Sequence, residues 1–122
     1  MITYNHGDYI SQAIESVLMQ KTDFPFRLII GEDCSTDNTA LIVARYAEEY
    51  PDIIRANYNT ENIGMIKNSA RTLASCTGKY VAICEGDDYW TDVYKLQKQV
   101  EFLEANPEFG MVHTDADVLF QK

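Results

Sequence analysis

A mostly parallel α/β sheet with helices on both faces is the fold class predicted for this 122-residue chain. Three observations carry it. Short apolar runs rich in β-branched residues alternate with longer segments whose apolar residues recur at helical spacing. The connections between them are short. Acidic residues collect where strands are expected to leave the core, which is the edge where open α/β sheets bind ligands.

Taken in order, Met1-Ile2-Thr3-Tyr4 reads as the tail of a strand whose earlier residues are missing. Asp8 is placed to cap a helix over 9–20, with Ile10, Ala13, Ile14, Val17 and Leu18 on one stripe. A second strand over 26–30 runs into the loop Gly31-Glu32-Asp33-Cys34-Ser35-Thr36-Asp37-Asn38-Thr39. Ser35 or Asp37 can cap the next helix, whose apolar face is expected at Leu41, Ile42, Ala44, Tyr46 and Ala47, ending before Pro51. Residues 53–58 form a third strand. Asn62-Ile63-Gly64 opens a third helix with Ile66, Ala70, Leu73 and Ala74 inward and Gly78 as its stop. Residues 79–84 read as a buried fourth strand. Asp92 starts a fourth helix through Leu96, Val100 and Leu103, closed by Asn106-Pro107, and 110–114 begin a fifth strand. No repeat, low-complexity segment or linker interrupts this pattern, so residues 1–122 form one domain or part of one.

Composition narrows the function. Hydrophobic residues make up 46% of the chain and charged residues 24%, which suits a packed core and argues against disorder. The net charge of −9 argues against nucleic-acid partners and against a polybasic membrane anchor. It also repels an anionic ligand unless a metal or local cations offset the field. Cys34, Cys76 and Cys84 are an odd number without a spaced framework, favouring reduced thiols in a cytosolic setting. No apolar run approaches the ~18 residues of a membrane span, and no signal peptide is visible.

The most informative run is Glu85-Gly86-Asp87-Asp88-Tyr89-Trp90. Carboxylates this close repel unless solvated or bridged by a cation, so the run reads either as a divalent-metal site or as an acidic turn capping the next helix. Tyr4-Asn5-His6 follows the first strand and Glu32-Asp33 the second. In a parallel sheet these loops share an edge with the acidic run. An aromatic ring, a carboxylate and a metal-binding pair together suit a nucleoside diphosphate: the ring stacks on the base, the carboxylate accepts from base or ribose, and the metal bridges phosphates. Neither G-x-G-x-x-G nor G-x-x-x-x-G-K-[ST] is present, so the dinucleotide and P-loop readings lose their main support.

Ile2-Thr3-Tyr4-Asn5-His6, residues 13–20, residues 32–39, Asn62-Ile63-Gly64, Gly78-Lys79-Tyr80 and residues 85–90 stand in the order of the motifs of family 2 glycosyltransferases, which the chain resembles over nearly its whole length. The resemblance is strongest to bacterial enzymes that build surface polysaccharides. It implies the GT-A fold, a nucleotide-diphosphate sugar donor, Mn²⁺ or Mg²⁺ as cofactor, and a saccharide or lipid-linked acceptor. It implies a cytoplasmic enzyme, peripheral to the inner face of the membrane where the acceptor is lipid-linked. Donor-binding positions are then Thr3, Tyr4, Asn5, Asp33, Lys67, Asn68 and Asp87. Tyr4 borders or stacks on the base, Asp33 hydrogen-bonds it, and Asp87 faces the ribose or sugar. Asp88 ligates the metal, and Glu85, in the first acidic position of the D-x-D-like motif, reaches it through water. Lys67 offers a point charge where relatives carry an arginine.

Plainer roles compete. Tyr4 can pack on the first helix, Asp33 and Asp37 can cap the second, and His6 reads as a solvated loop histidine. Lys67 can be a solvent-facing charge. Cys34 has no local base and is not read as a nucleophile. An inverting transferase also needs a general base, which in this family lies after the fifth strand. The catalytic residue is therefore expected outside this chain, which reads as the donor half of a longer enzyme, binding donor but transferring poorly alone. A non-catalytic GT-A-like module is the alternative. A phosphoryl-transfer receiver would need its acidic pair after the first strand, where Asn5-His6 stands instead.

Overall fold

The computed structural model describes residues 1–120. Its elements run β1 (Ile2–Thr3), α1 (Ile10–Leu18), β2 (Leu28–Glu32), α2 (Thr39–Glu49), β3 (Ile54–Tyr58), α3 (Met65–Ala74) and α4 (Lys95–Ala105). The three strands are parallel in the order β1-β2-β3, with Ile2 opposite Gly31 and Ile30 opposite Ala56. Both connections inside the sheet cross over through a helix, as parallel pairing requires.

Alternation along β2 sorts the layers. Leu28 and Ile30 point to the face where Ile10, Ile14 and Val17 of α1, Val43 of α2 and Ile54 of β3 complete the core. Gly31 belongs to the other face, where α3 lies and the Asn68 side-chain amide donates to the Gly31 carbonyl at 2.9 Å. The result is the three-layer arrangement predicted above.

Several expected details change. β2 ends at Glu32 rather than Ile30, because Gly31 donates to the Met1 carbonyl and Asn59 to the Glu32 carbonyl, which carries the ladder into the predicted loop. Asp8 is exposed and does not cap α1; Tyr9 holds that position, and the His6 carbonyl accepts the Tyr9 and Ile10 N–H groups. On α2 the buried position is Val43, with Ile42, Tyr46 and Ala47 beside it, whereas Leu41 and Ala44 face solvent. The inward face of α3 is polar, not apolar. Asn68 and Thr72, one turn apart, are buried, while Ile66 and Leu73 are exposed. α4 starts three residues after Asp92, whose carboxylate accepts the Tyr94 N–H and pairs with Lys98.

The predicted fourth and fifth strands are not formed among the described residues. Residues 79–84 lie as irregular chain with Val81 and Ile83 exposed and Cys84 buried. The backbone bond to β1 comes two residues later, from Gly86 N–H to the Ile2 carbonyl, and a ladder needs bonds at alternating residues. Residues 110–114 likewise have no strand to pair with, and Met111 is exposed. α4 is instead anchored by Gln20 at the end of α1. Its amide donates to the Asp92 carbonyl at 2.8 Å and accepts from Leu96 N–H at 3.0 Å. No helix among the described residues is long and apolar enough to cross a membrane.

Candidate functional site

The three strand ends and the acidic run do converge. A cleft of about 290 Å³ is bounded by Thr3, Tyr4 and His6 at the end of β1, Asp33 after β2, Asn62, Gly64, Met65 and Asn68 around the start of α3, and Glu85 with Asp87. A second hollow beside Lys21, Tyr94 and Gln97 is larger and flatter, but it lies away from the strand ends and gathers none of these groups.

Asp33 forms the floor. It is buried, and its carboxylate collects three N–H donors: Asn59 Nδ2 at 2.8 Å and Ile63 N at 2.9 Å on Oδ1, and Gly64 N at 2.9 Å on Oδ2. An ionised carboxylate has about four acceptor positions, so one remains, on Oδ2. Gly64 adopts φ 86°, a conformation open to glycine, and this turn is what aims both N–H groups at Asp33. The motif Asn62-Ile63-Gly64 is thus a clamp on Asp33 as well as a helix start.

The loops above are locked to each other. Asn5 and Cys34 both sit at positive φ, 54° and 60°. Asn5 N–H donates to Ser35 Oγ at 3.0 Å, and its side-chain oxygen accepts from Thr36 N–H at 2.8 Å. Buried Glu32 accepts from Cys34 and Ser35 N–H groups at 3.2 and 2.8 Å, holding the second loop from beneath. Asp37 accepts the Thr39 N–H and hydroxyl and also the Gly7 N–H, but Asn38, not Asp37 or Ser35 as expected, holds the cap position of α2.

Across the cleft, Gly86 brings the acidic run against β1. A Cβ there would meet Thr3 Oγ1 at 2.7 Å and His6 Nδ1 at 2.8 Å, so only glycine allows this approach. His6 Nδ1 lies 3.2 Å from Thr3 Oγ1, and its Nε2 lies 3.8 Å from Asp87 Oδ2.

Of the predicted donor-binding residues, Thr3, Tyr4, Asp33, Asn68 and Asp87 line the cleft. Asn5 supports the loops instead, and Lys67 is exposed outside the lining. Of the predicted metal residues, Glu85 lines the cleft; Asp88 is exposed outside the lining, its N–H bonded to the Glu85 carbonyl. The sequence reading took His6 as a solvated loop histidine, whereas it sits partly buried between Thr3 and Asp87; it placed Glu32 at the strand end without a role of its own, and it passed over Asn59. Nothing in the sequence marks Asn59 as a buried partner of Asp33. Cys84 is buried with its Sγ against the Glu85 and Asp88 carbonyls, and burial, then the Asp88 charge, pushes its thiol up to about 11.

Residues 1–117 match the profile of Glycosyl transferase family 2. The chain belongs to this family. A relative from Escherichia coli, the UDP-Glc:alpha-D-GlcNAc-diphosphoundecaprenol beta-1,3-glucosyltransferase WfaP, is 34% identical over 106 residues, covering 87% of this chain and 40% of WfaP. Among solved structures, Staphylococcus aureus TarS 1-349 in complex with UDP-GlcNAc superposes with a TM-score of 0.73 at 28% identity, over 87% of this chain and 30% of that one. The mannosyltransferase PcManGT of Pyrobaculum calidifontis, in complex with GDP-Man and Mn2+, gives 0.74 at 28%, over 84% and 30%. This family 2 chain spans about a third of the length of the first curated relatives it matches, 35%. Its three-layer parallel fold is that of the GT-A glycosyltransferases.

Proposed function

We propose that this family 2 chain is the donor-binding portion of an inverting, metal-dependent glycosyltransferase acting in cell-surface polysaccharide synthesis. The observation that carries the reading is Asp33: a buried carboxylate at the cleft floor with one acceptor position left over, facing two further carboxylates across the cleft. A nucleobase N–H takes that position while the exposed Tyr4 ring borders the base. Thr3 and Asn68 shape the wall, Asn5 holds the Tyr4 loop, Asp87 accepts from ribose or sugar hydroxyls, and Lys67 supplies a long-reach positive charge.

Glu85 and Asp88 would hold Mn²⁺ or Mg²⁺. The fit rests on the chemistry of the donors: they are carboxylate oxygens, which suit hard divalent cations. Among the described residues no three His, Cys, Asp or Glu side chains are grouped to hold a metal unaided, so ligand phosphate oxygens complete the shell. When bound, the metal neutralises the leaving diphosphate. The protein's own task is to seat the base on Asp33 and turn the sugar toward an acceptor hydroxyl. The acceptor is a saccharide, free or lipid-linked, as in the name of the E. coli relative. The general base is proposed to lie outside this chain, and the setting to be the cytoplasmic side of the membrane.

The test is a thermal-shift panel of UDP, GDP, CDP and dTDP, with and without Mn²⁺, on this chain and on Asp88→Ala. A ligand at a hundredfold excess over its dissociation constant stabilises the native state by ~2.7 kcal/mol. One nucleotide raising the melting temperature, in a metal-dependent way lost on Asp88→Ala, supports the reading. No shift with any nucleotide on folded protein overturns it.

A further inference from the structure

Asp33 has a cation one residue removed. The Arg71 guanidinium Nη1 donates to Asn59 Oδ1 at 2.8 Å, and Asn59 Nδ2 donates to Asp33 Oδ1 at 2.8 Å and to Asn68 Oδ1 at 3.1 Å. Asn68 in turn donates to the Gly31 carbonyl of β2 at 2.9 Å. The relay runs from exposed Arg71 on α3, through Asn59 at the end of β3, to the cleft floor. No ion pair to Asp33 occurs among the described residues. Burying a carboxylate without a cation is costly, so the Asn59 amide, polarised by Arg71, carries part of that compensation.

We propose that Arg71 is a positioning residue that sets nucleobase selectivity through Asn59. The inference rests on the reading of Asp33 as the base contact. With Oδ1 taken by Asn59 and Ile63, the carboxylate is turned so that a single position on Oδ2 is open. A base with one imide N–H, uracil, matches it. Guanine presents two adjacent donors and needs both carboxylate oxygens facing it. Arg71 does not itself line the cleft; it holds Asn59, and Asn59 holds the carboxylate in that orientation.

Calorimetric titration of UDP and GDP, each with Mn²⁺, decides it, using this chain with Arg71→Met and Arg71→Lys. The original chain is expected to bind UDP in preference to GDP. Arg71→Met is expected to weaken UDP about tenfold and GDP little, with the ligand-free melting temperature within about 3 °C. Arg71→Lys, which keeps a charge and a donor, recovers part of the preference. Unchanged UDP affinity in Arg71→Met, or equal losses of UDP and GDP accompanied by a falling melting temperature, overturns the proposal while leaving the donor-site reading intact. Failure of the original chain to bind UDP overturns this proposal, and the donor-site reading falls with it where GDP, CDP and dTDP fail as well.

Discussion

Gly7 N–H donates to Asp37 Oδ2 at 3.0 Å, joining the loop after β1 to the loop after β2 across 30 residues of sequence. The same carboxylate receives Thr39 through its other oxygen, so one aspartate ties the first residue of α2 to the loop that carries Tyr4. Desolvation pushes the Asp37 carboxyl up, but hydrogen bonds from Thr39 and Gly7 outweigh it and hold it below the ordinary value of 3.8. A folded-state value below the unfolded one gives stability that is complete above about 3.8 and is lost as pH falls through the lower folded value. Asp92 and Glu104 are lowered too, by their lysine partners Lys98 and Lys79, so the informative quantity is a difference. The gap in unfolding free energy between the original chain and Asp37→Asn should be widest near neutral pH and close in acid. Denaturant midpoints at several pH values check this; a gap independent of pH counts against an ionised Asp37 as the tie.

Gly86→Ala tests how the acidic run reaches the site. Its Cβ would fall within 2.8 Å of Thr3 and His6, and Thr3 is itself buried in β1, so it cannot swing away. Relief must come from moving residues 85–88 outward. Overpacking of this kind costs about 1–3 kcal/mol. The expected result is a lower urea midpoint together with lost metal-dependent nucleotide binding. An unchanged midpoint would mean that the run is not held against β1.

Much of this architecture was legible in the sequence, and the reasons differ by element. α1 follows from a strong stripe, because Ile10, Ile14 and Val17 are apolar at helical spacing and all three are buried. Parallel order and the strand-end cleft followed from alternation alone. The apolar faces of α2 and α3 were misjudged for a common reason. Periodicity finds apolar residues but not what they meet, and α3 meets Gly31 of β2, where the absent side chain makes room for Asn68, which donates to the Gly31 carbonyl, and for Thr72, whose buried hydroxyl has no partner among the described residues. Residues 79–84 carry strand-forming residues but make too few backbone bonds to β1. Asp33 and the acidic run were found from their position at strand ends. Asn59 was not, since one buried asparagine bridging two loops leaves no local pattern.

Cys84 gives a check on the packing beneath the acidic run. Its side chain is buried, and with its thiol pushed up to about 11 it is almost wholly protonated at pH 8. Alkylation of the native protein at pH 8 should reach Cys34 and Cys76 first, and Cys84 only at the rate of unfolding. Mass spectrometry of the labelled peptides reads this directly. Prompt labelling of Cys84 would show that residues 79–88 open without global unfolding.

Asp33→Asn separates support from recognition at the cleft floor. The amide keeps the size of the carboxylate but has one oxygen. Facing that oxygen toward Asn59 and Ile63 preserves two bonds and turns the NH₂ toward Gly64 N–H, donor against donor. The opposite rotamer loses two bonds instead. The former is favoured, at a cost of about 1.5–3 kcal/mol for the lost charged hydrogen bond and the unpaired Gly64 N–H. It also points a donor at the place where a base N–H would sit. Nucleotide affinity should therefore fall by more than the stability loss explains, and saturating nucleotide should not restore the melting temperature of the variant. A variant that is less stable yet is fully rescued by the same nucleotide would make Asp33 a scaffold for the Asn62-Ile63-Gly64 turn and move recognition to Tyr4 and Asp87.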